Sequence, residues 1–372
     1  MSAKVKNSHI NISKELLIEN YISDTRPWII GYSGGKDSTL LLQLVFEILS
    51  DDRVNNEKPI HIITSDTGVE PPNILTHVKE NLANIQTFID KQNLPINIHQ
   101  VVPSLDNKFW VNLIGRGYPS PTRWFRWCTS KMKIKPTKGI IEQLVEQHGS
   151  TILLLGTRKD ESQARKRSIE KREYSTRRLN PHHEIKNTLV LAPISDWTTD
   201  EVWEYLFNEL PPWGGNHDVL FDLYKQANSG ECPLVVDLNT PSCGGSRFGC
   251  WTCTVVKTDK SMESFIEQGA VWMQPLNNFR NWIKEIREDE HRRNHYRRTG
   301  ELGNGPFNST TRQEILENLL DTESKLPDNI ELISDDEIVH IQKIWTEEFD
   351  VMNSALKIAN KFKRQPMKRR KK

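Results

Sequence analysis

The chain has 372 residues, with 50 basic and 49 acidic side chains and a formal net charge of +1, so bulk charge alone assigns no polyanion partner. Its length suits one large α/β domain with an appendage, or two to three modules. No stretch approaches the roughly 20 apolar residues of a membrane span, and the N-terminus lacks an apolar leader core, so a cytoplasmic protein is expected. Five cysteines in that setting point to metal or redox chemistry rather than to disulfides.

Residues 1–25 are expected to be an N-terminal extension. The first strand follows at 28–32 and leads into Ser33-Gly34-Gly35-Lys36-Asp37-Ser38-Thr39, after which Leu40 to Leu49 read as a buried helix. A strand, a glycine turn and a helix N-terminus together make an anion site. Gly34 and Gly35 permit a tight turn with exposed N–H groups, and the helix dipole favours negative charge. Lys36 adds a cation, while Ser33, Ser38 and Thr39 add hydroxyls. A Walker loop is excluded, because its first glycine and its Ser/Thr would fall on Ile30 and Asp37.

Further strands are expected at 60–65, 96–102, 151–155 and 189–191, with helices at 38–50, 72–92, 137–148 and 199–208. This alternation predicts a mostly parallel, doubly wound sheet with ligands beyond the carboxyl ends of its strands. Asp66, in the polar turn after the second strand, is a candidate for Mg²⁺ or a ribose hydroxyl, with a simple turn aspartate as the competing reading. After the fourth strand, Gly156 would allow close backbone approach, and Arg158 would clamp a phosphate unless it only pairs with a carboxylate. Thr198 or Thr199 is expected to cap the helix that follows Trp197.

Beyond Pro211-Pro212-Trp213-Gly214-Gly215 the pattern shifts to loops, glycines and cysteines. Cys232, Cys243, Cys250 and Cys253 fall within 22 residues, spaced by 10, 6 and 2 intervening residues. Cys250-Trp251-Thr252-Cys253 lets two thiolates grip one metal centre. Structural zinc usually shows two such knuckles, so the irregular spacing leans toward a [4Fe–4S] cluster and leaves zinc open. Cys128 stands apart between cations in Arg126-Trp127-Cys128-Thr129-Ser130-Lys131, which would favour its thiolate and a sulfur-carrying role. A buried small residue is the alternative. Trp124, Phe125 and Trp127 read as core, with one free to stack a base. From about 311 the chain is helical and charged, and residues 361–372 carry eight basic residues and no acid. That tail and the basic stretch Arg158 to Arg178 suit either a solvated segment or DNA phosphates.

The run Ser33-Gly34-Gly35-Lys36-Asp37-Ser38 resembles the pyrophosphate loop of the N-type ATP pyrophosphatases, with their adenine nucleotide α hydrolase-like fold. Gly156-Thr157-Arg158 with Pro193-Ile194-Ser195-Asp196-Trp197 resembles the phosphoadenosine phosphosulfate (PAPS) reductase branch of that family. Together with Arg247-Phe248-Gly249-Cys250-Trp251-Thr252-Cys253, the set resembles the DNA phosphorothioation sulfurtransferases of the Dnd and Ssp systems, and the chain length leans to the Ssp type. The resemblance implies ATP, Mg²⁺ and a [4Fe–4S] cluster as cofactors. It also implies DNA, a cysteine desulfurase and other phosphorothioation-system proteins as partners. Lys36, Asp37 and Cys128 would act in catalysis; Ser33 to Thr39, Asp66, Gly156 and Arg158 would bind nucleotide; and the four clustered cysteines would hold the metal.

The domain reading is therefore 1–25 extension, 26–215 ATP pyrophosphatase, 216–310 cysteine-rich iron–sulfur segment and 311–372 helical extension. PAPS and APS reductases compete. The first type carries a cysteine near its C-terminus and the second an adjacent Cys-Cys pair, neither of which occurs here. A tRNA thiolase is a further alternative, as is a zinc-stabilised, nucleotide-responsive DNA-binding module.

Overall fold

A computed structural model describes residues 3–170, 178–227 and 249–366. The core is a six-stranded sheet in the order β3-β2-β1-β4-β6-β5. Its strands are β1 (Trp28–Gly31), β2 (Ile60–Ser65), β3 (Ile96–Val101), β4 (Thr151–Leu154), β5 (Asn180–Pro181) and β6 (Thr188–Leu191). All neighbours run parallel except β5 against β6. The expected doubly wound α/β sheet is what forms.

Central β1 is buried at every position, because both of its edges are paired and helices cover both faces. The helix after it, α2 (Lys36–Ile48), is buried at 12 of its 13 positions. A helix apolar all round has no solvent face to offer, which is why Leu40 to Leu49 read as buried from sequence. Next come α3 (Pro72–Gln92), α4 (Lys135–His148) and α6 (Thr199–Asn208), close to the expected spans, with a short α5 (Gln163–Glu170) between the last two. Thr198 caps α6 with a reciprocal box: its hydroxyl accepts from Glu201 N–H at 3.3 Å, and Glu201 accepts from Thr198 N–H at 2.7 Å.

The N-terminal extension is itself an element, α1 (Ala3–Ile22). Leu17 and Tyr21 are buried, and Ser13 donates to the Pro193 carbonyl at 2.8 Å while accepting from Trp197 Nε1 at 2.9 Å. Polar anchors do this fastening, so α1 leaves little hydrophobic periodicity to read. Trp197 is accordingly a packing residue.

A second apolar core gathers residues distant in sequence. Phe109 to Met132, which lie between β3 and α4, pack against α8 (Lys260–Glu267), α9 (Gln274–Glu288), α10 (Ser309–Glu323), α11 (Asp335–Glu348) and α12 (Ser354–Lys361). Trp110 Nε1 donates to the Leu332 carbonyl at 2.6 Å, and Trp345 Nε1 and Arg312 Nε both donate to the Ile114 carbonyl at 3.0 Å. The region read as loops after residue 215 holds α7 (Asp218–Ala227) as well as α8 and α9. In α9 the apolar stripe Leu276, Phe279, Ile283 and Ile286 is interleaved with charges and carries a buried Arg280, which hid it. Among the described residues no helix is long and apolar enough to cross a membrane.

Candidate nucleotide and thiol site

The loop after β1 sits where β1 is flanked by β2 and β4, the point at which the strand order reverses direction and a crevice opens beyond the strand ends. Gly34 has φ +77°, a left-handed conformation that disfavours any side chain, and a Cβ there would collide with Val78 of α3. Gly35 caps α2 without a side-chain hydrogen bond, leaving the helix start as backbone dipole. Ser38 Oγ lies 3.1 Å from Ser33 Oγ and donates to the Gly35 carbonyl at 2.9 Å, closing the turn on itself. Tyr224 of α7 lies over the loop, its hydroxyl 3.4 Å from Lys36 N and its ring 5.2 Å from Lys36 Nζ.

Asp37 is gripped from both sides. Its Oδ2 meets Lys36 Nζ at 2.9 Å and its Oδ1 meets Arg158 Nε at 2.5 Å, all three residues being buried. Arg158 also donates to the Trp197 carbonyl at 3.1 Å and to Thr199 Oγ1 at 3.2 Å. The sequence offered Arg158 as a phosphate clamp or a carboxylate's partner and Asp37 as a catalytic and nucleotide-binding residue; here the two bind each other and tie the loop to the Trp197 segment. Gly156 has a related role. A Cβ at that position would stand 2.8 Å from the Asp37 carbonyl oxygen, so only glycine lets the strand β4 exit pass the loop. Asp66 forms a turn, accepting from Gly68 N–H at 2.9 Å and from Gln100 Nε2 at 3.4 Å.

The C-x-x-C turn arrives at the same carboxyl end of the sheet. Trp251 N–H donates to the Val69 carbonyl at 3.0 Å, docking the C-x-x-C turn on the loop that follows β2. Thr67 Oγ1 lies 3.8 Å from Cys250 Sγ. The buried Trp251 ring packs near Trp110 and Phe279, and the turn closes with Cys253 N–H donating to the Cys250 carbonyl at 3.0 Å. Buried Arg280 fixes the chain leaving this turn, donating to the carbonyls of Cys253 at 2.9 Å, Val256 at 2.5 Å and Lys257 at 3.0 Å.

Cys128, distant in sequence, lies within electrostatic range of both Cys250 and Cys253. The expectation that flanking cations make it a thiolate is reversed. Burial pushes its thiol up to about 11, with Cys253 adding to the rise and Lys133 opposing it. Burial likewise raises the Cys250 thiol. Sequence reasoning missed Glu70, whose carboxyl is raised by burial and lowered in turn by Lys133; it accepts from Thr67 Oγ1 at 2.5 Å and adds to the rise at Cys250. The T-x-x-E spacing after β2 was its available signal. Cys232 and Cys243 lie outside the described residues, as do 171–177 of the basic stretch and 367–372 of the tail.

Cys128, Cys250 and Cys253 lie within electrostatic range of one another, and as thiols they suit a soft metal in donor type. Among the described residues no three histidine, cysteine or acidic side chains are arranged to hold an ion.

Fold and loop define a doubly wound α/β domain with an anion cradle at its switch point. Residues 27–256 match the phosphoadenosine phosphosulfate reductase domain, and the chain belongs to that family. An uncharacterized protein of Methanocaldococcus jannaschii is 28% identical over 199 residues, covering 53% of this chain and 35% of that protein. Adenosine 5'-phosphosulfate reductase of Staphylococcus haemolyticus is 23% identical over 186 residues, covering 50% and 63%. The chain thus spans less than two thirds of these curated relatives. The crystal structure of PAPS reductase from Candida auris aligns with 60% of this chain and 92% of its own, at 13% identity and a TM-score of 0.36.

Proposed function

We propose that this protein is an ATP pyrophosphatase that activates a DNA backbone phosphate and replaces one non-bridging oxygen with sulfur. One observation carries the reading: the anion cradle and the docked cysteine turn follow the carboxyl ends of two adjacent parallel strands, β1 and β2. A nucleotide and a sulfur source would meet there.

In the first step a DNA phosphate oxygen attacks the α-phosphorus of ATP, the α–β anhydride breaks and pyrophosphate leaves. In the second a sulfur nucleophile attacks the DNA phosphorus, and AMP departs with the original oxygen. The backbone N–H groups of Gly34 and Gly35, the Lys36 ammonium and the Ser33 and Thr39 hydroxyls would hold the pyrophosphate moiety as charge builds on it. Thr39 Oγ1 is buried without a hydrogen-bond partner, a donor in place for such an oxygen. Asp37 and Arg158 position the loop. Mg²⁺ would travel with the nucleotide and neutralise the leaving group.

Cys250 and Cys253, with Cys128 beside them, would supply ligands to an iron–sulfur cluster, whose chemistry when bound is to carry sulfur received from a cysteine desulfurase. The absence of an adjacent Cys-Cys pair supports this reading over an APS reductase.

The test is mass spectrometry of digested DNA from cells with and without the protein. Phosphorothioate-linked dinucleotides that disappear with Lys36→Ala support the reading. Their absence from cells expressing the protein with its neighbouring genes contradicts it.

A further inference from the structure

The segment between Tyr118 and Lys135 leads straight into Cys128, and its surface is unlike the rest of the molecule. Trp124 is 90% exposed and Phe125 45% exposed, against the expectation that both belong to the core; of the three rings read as core, Trp127 alone is buried. This exposure is built rather than loose. Thr122 Oγ1 accepts from the N–H groups of Trp124 at 3.3 Å and Phe125 at 3.0 Å, and Thr122 N–H donates to the Phe125 carbonyl at 3.2 Å. Just before that turn, the Pro121 carbonyl accepts from Thr254 Oγ1 at 2.8 Å and Arg287 Nη1 at 2.7 Å, tying it to the residues just past the C-x-x-C motif. Two adjacent exposed rings, Trp124 and Phe125, held on a fixed turn form an apolar patch of the kind that marks an interaction site.

Cations line the same strip. The Arg123 guanidinium lies 5.6 Å from the centre of the Trp124 ring. Phe125 leads on to Tyr118, with ring centroids 6.2 Å apart, and Tyr118 is flanked by Lys131 at 5.7 Å and Arg298 at 5.4 Å. Burial lowers the Lys131 pKa, and the positive charges of Arg116, Lys135 and Arg298 lower it further. The acids nearby are engaged: Asp106 with Arg116 and His340, and Glu348 with Arg298 and Arg312. Alternating aromatic faces and cations match a polyanion that carries flat apolar groups at regular intervals. A paired duplex hides its base faces, whereas an unpaired strand presents them.

We infer that the strip Arg123, Trp124, Phe125, Tyr118, Lys131 and Arg298 binds single-stranded DNA, with a base stacked on Trp124 and the phosphates on the cations, and leads that strand toward Cys128. This rests on the proposed DNA activity and names the form of substrate that site takes. Recognition is by stacking and charge, so it tolerates many sequences.

The test is fluorescence anisotropy of a labelled 20-nucleotide thymidine strand titrated with the full-length protein. Trp124→Ala, checked by an unchanged melting profile, is expected to weaken binding about 5- to 150-fold, the range for one lost base stack. Trp124→Phe should restore most of it. The Arg123→Gln/Lys131→Gln double variant should make the slope of log affinity against log salt shallower by about 1.4, roughly 0.7 for each phosphate contact removed. Several outcomes overturn the inference: no binding by the parent protein, binding indifferent to Trp124, tighter binding of the matching duplex, or a Trp124-dependent preference for oligouridine. Phosphorothioate in cellular DNA that survives Trp124→Ala would defeat the strip alone. Trp124-dependent strand binding without any phosphorothioate would defeat the modification reading and leave the strip standing.

Discussion

The two ends of the candidate site are built on different principles. The loop after β1 is local: nine consecutive residues, Gly31 to Thr39, carry strand exit, turn and helix start, and Gly156 and Arg158 press on it from the next strand over. The cysteine end is assembled from far apart. Cys128 comes from the segment between β3 and α4, and Cys250 and Cys253 from beyond residue 248. The Arg280 that fixes them comes from α9. A local motif can be read in order along the chain, whereas a site drawn from three distant segments exists only once the second apolar core has closed.

That contrast breaks most sharply at the buried ions. Arg158→Leu leaves Asp37 facing Lys36 alone in a buried setting, and removal of one partner from such a pair costs about 3–5 kcal/mol. Urea unfolding would show this as a lower midpoint; a change under about 1 kcal/mol would mean that Asp37 finds another partner. At the cysteine end, Arg280→Leu strips donors from three carbonyls, with an expected loss of about 3 kcal/mol, the upper end for a buried acceptor left unsatisfied. Its signature is faster reaction of Cys250 and Cys253 with a thiol reagent in the native protein. An unchanged thiol rate would separate Arg280 from the cysteine turn.

Glycine substitutions sharpen the same comparison. Gly156→Ala forces a methyl against the Asp37 carbonyl and is expected to cost about 1–3 kcal/mol. Gly139→Ala, inside α4 with open space at its Cβ, is expected to stabilise by about 0.5–1 kcal/mol. Equal effects of the two would remove the case for contact between the β4 exit and the loop.

The mildest probe is acid. Burial, with His99 and His148 nearby, holds the His61 imidazole down at about 4. The unfolded chain, with its ordinary value near 6.5, takes up that proton first, so this contribution to stability is whole above about pH 6.5 and is lost as pH falls to about 4. His61 lies in β2, so hydrogen exchange should quicken in β2 and β3 over that window while the Trp110 core stays protected. Exchange that quickens equally in both regions would contradict the assignment.

Much of the sheet half was legible because strand burial and helix periodicity are carried by contiguous residues. The loop, the capping of α6 and the strand spans can all be read from sequence. Three things were not. Helix α1 is held by the Ser13 hydroxyl as well as by apolar residues, which blurs its pattern. The two-residue β5 contains a proline and is too short to leave a period. The convergence of Cys128 on the C-x-x-C turn depends on packing between segments more than 120 residues apart, for which no local pattern exists. The role of Arg158 was half legible: its charge marked it for an anion, and only the fold shows that the anion is Asp37.

The central claim is that the loop at the switch point directs cleavage between the α and β phosphates. ATP labelled at the α and γ positions, incubated anaerobically with the reconstituted protein, single-stranded DNA and a sulfur donor, tests it most directly. The expected products are labelled AMP and pyrophosphate, both lost in Lys36→Ala. Labelled ADP with orthophosphate, or AMP release that persists in Lys36→Ala, would contradict it.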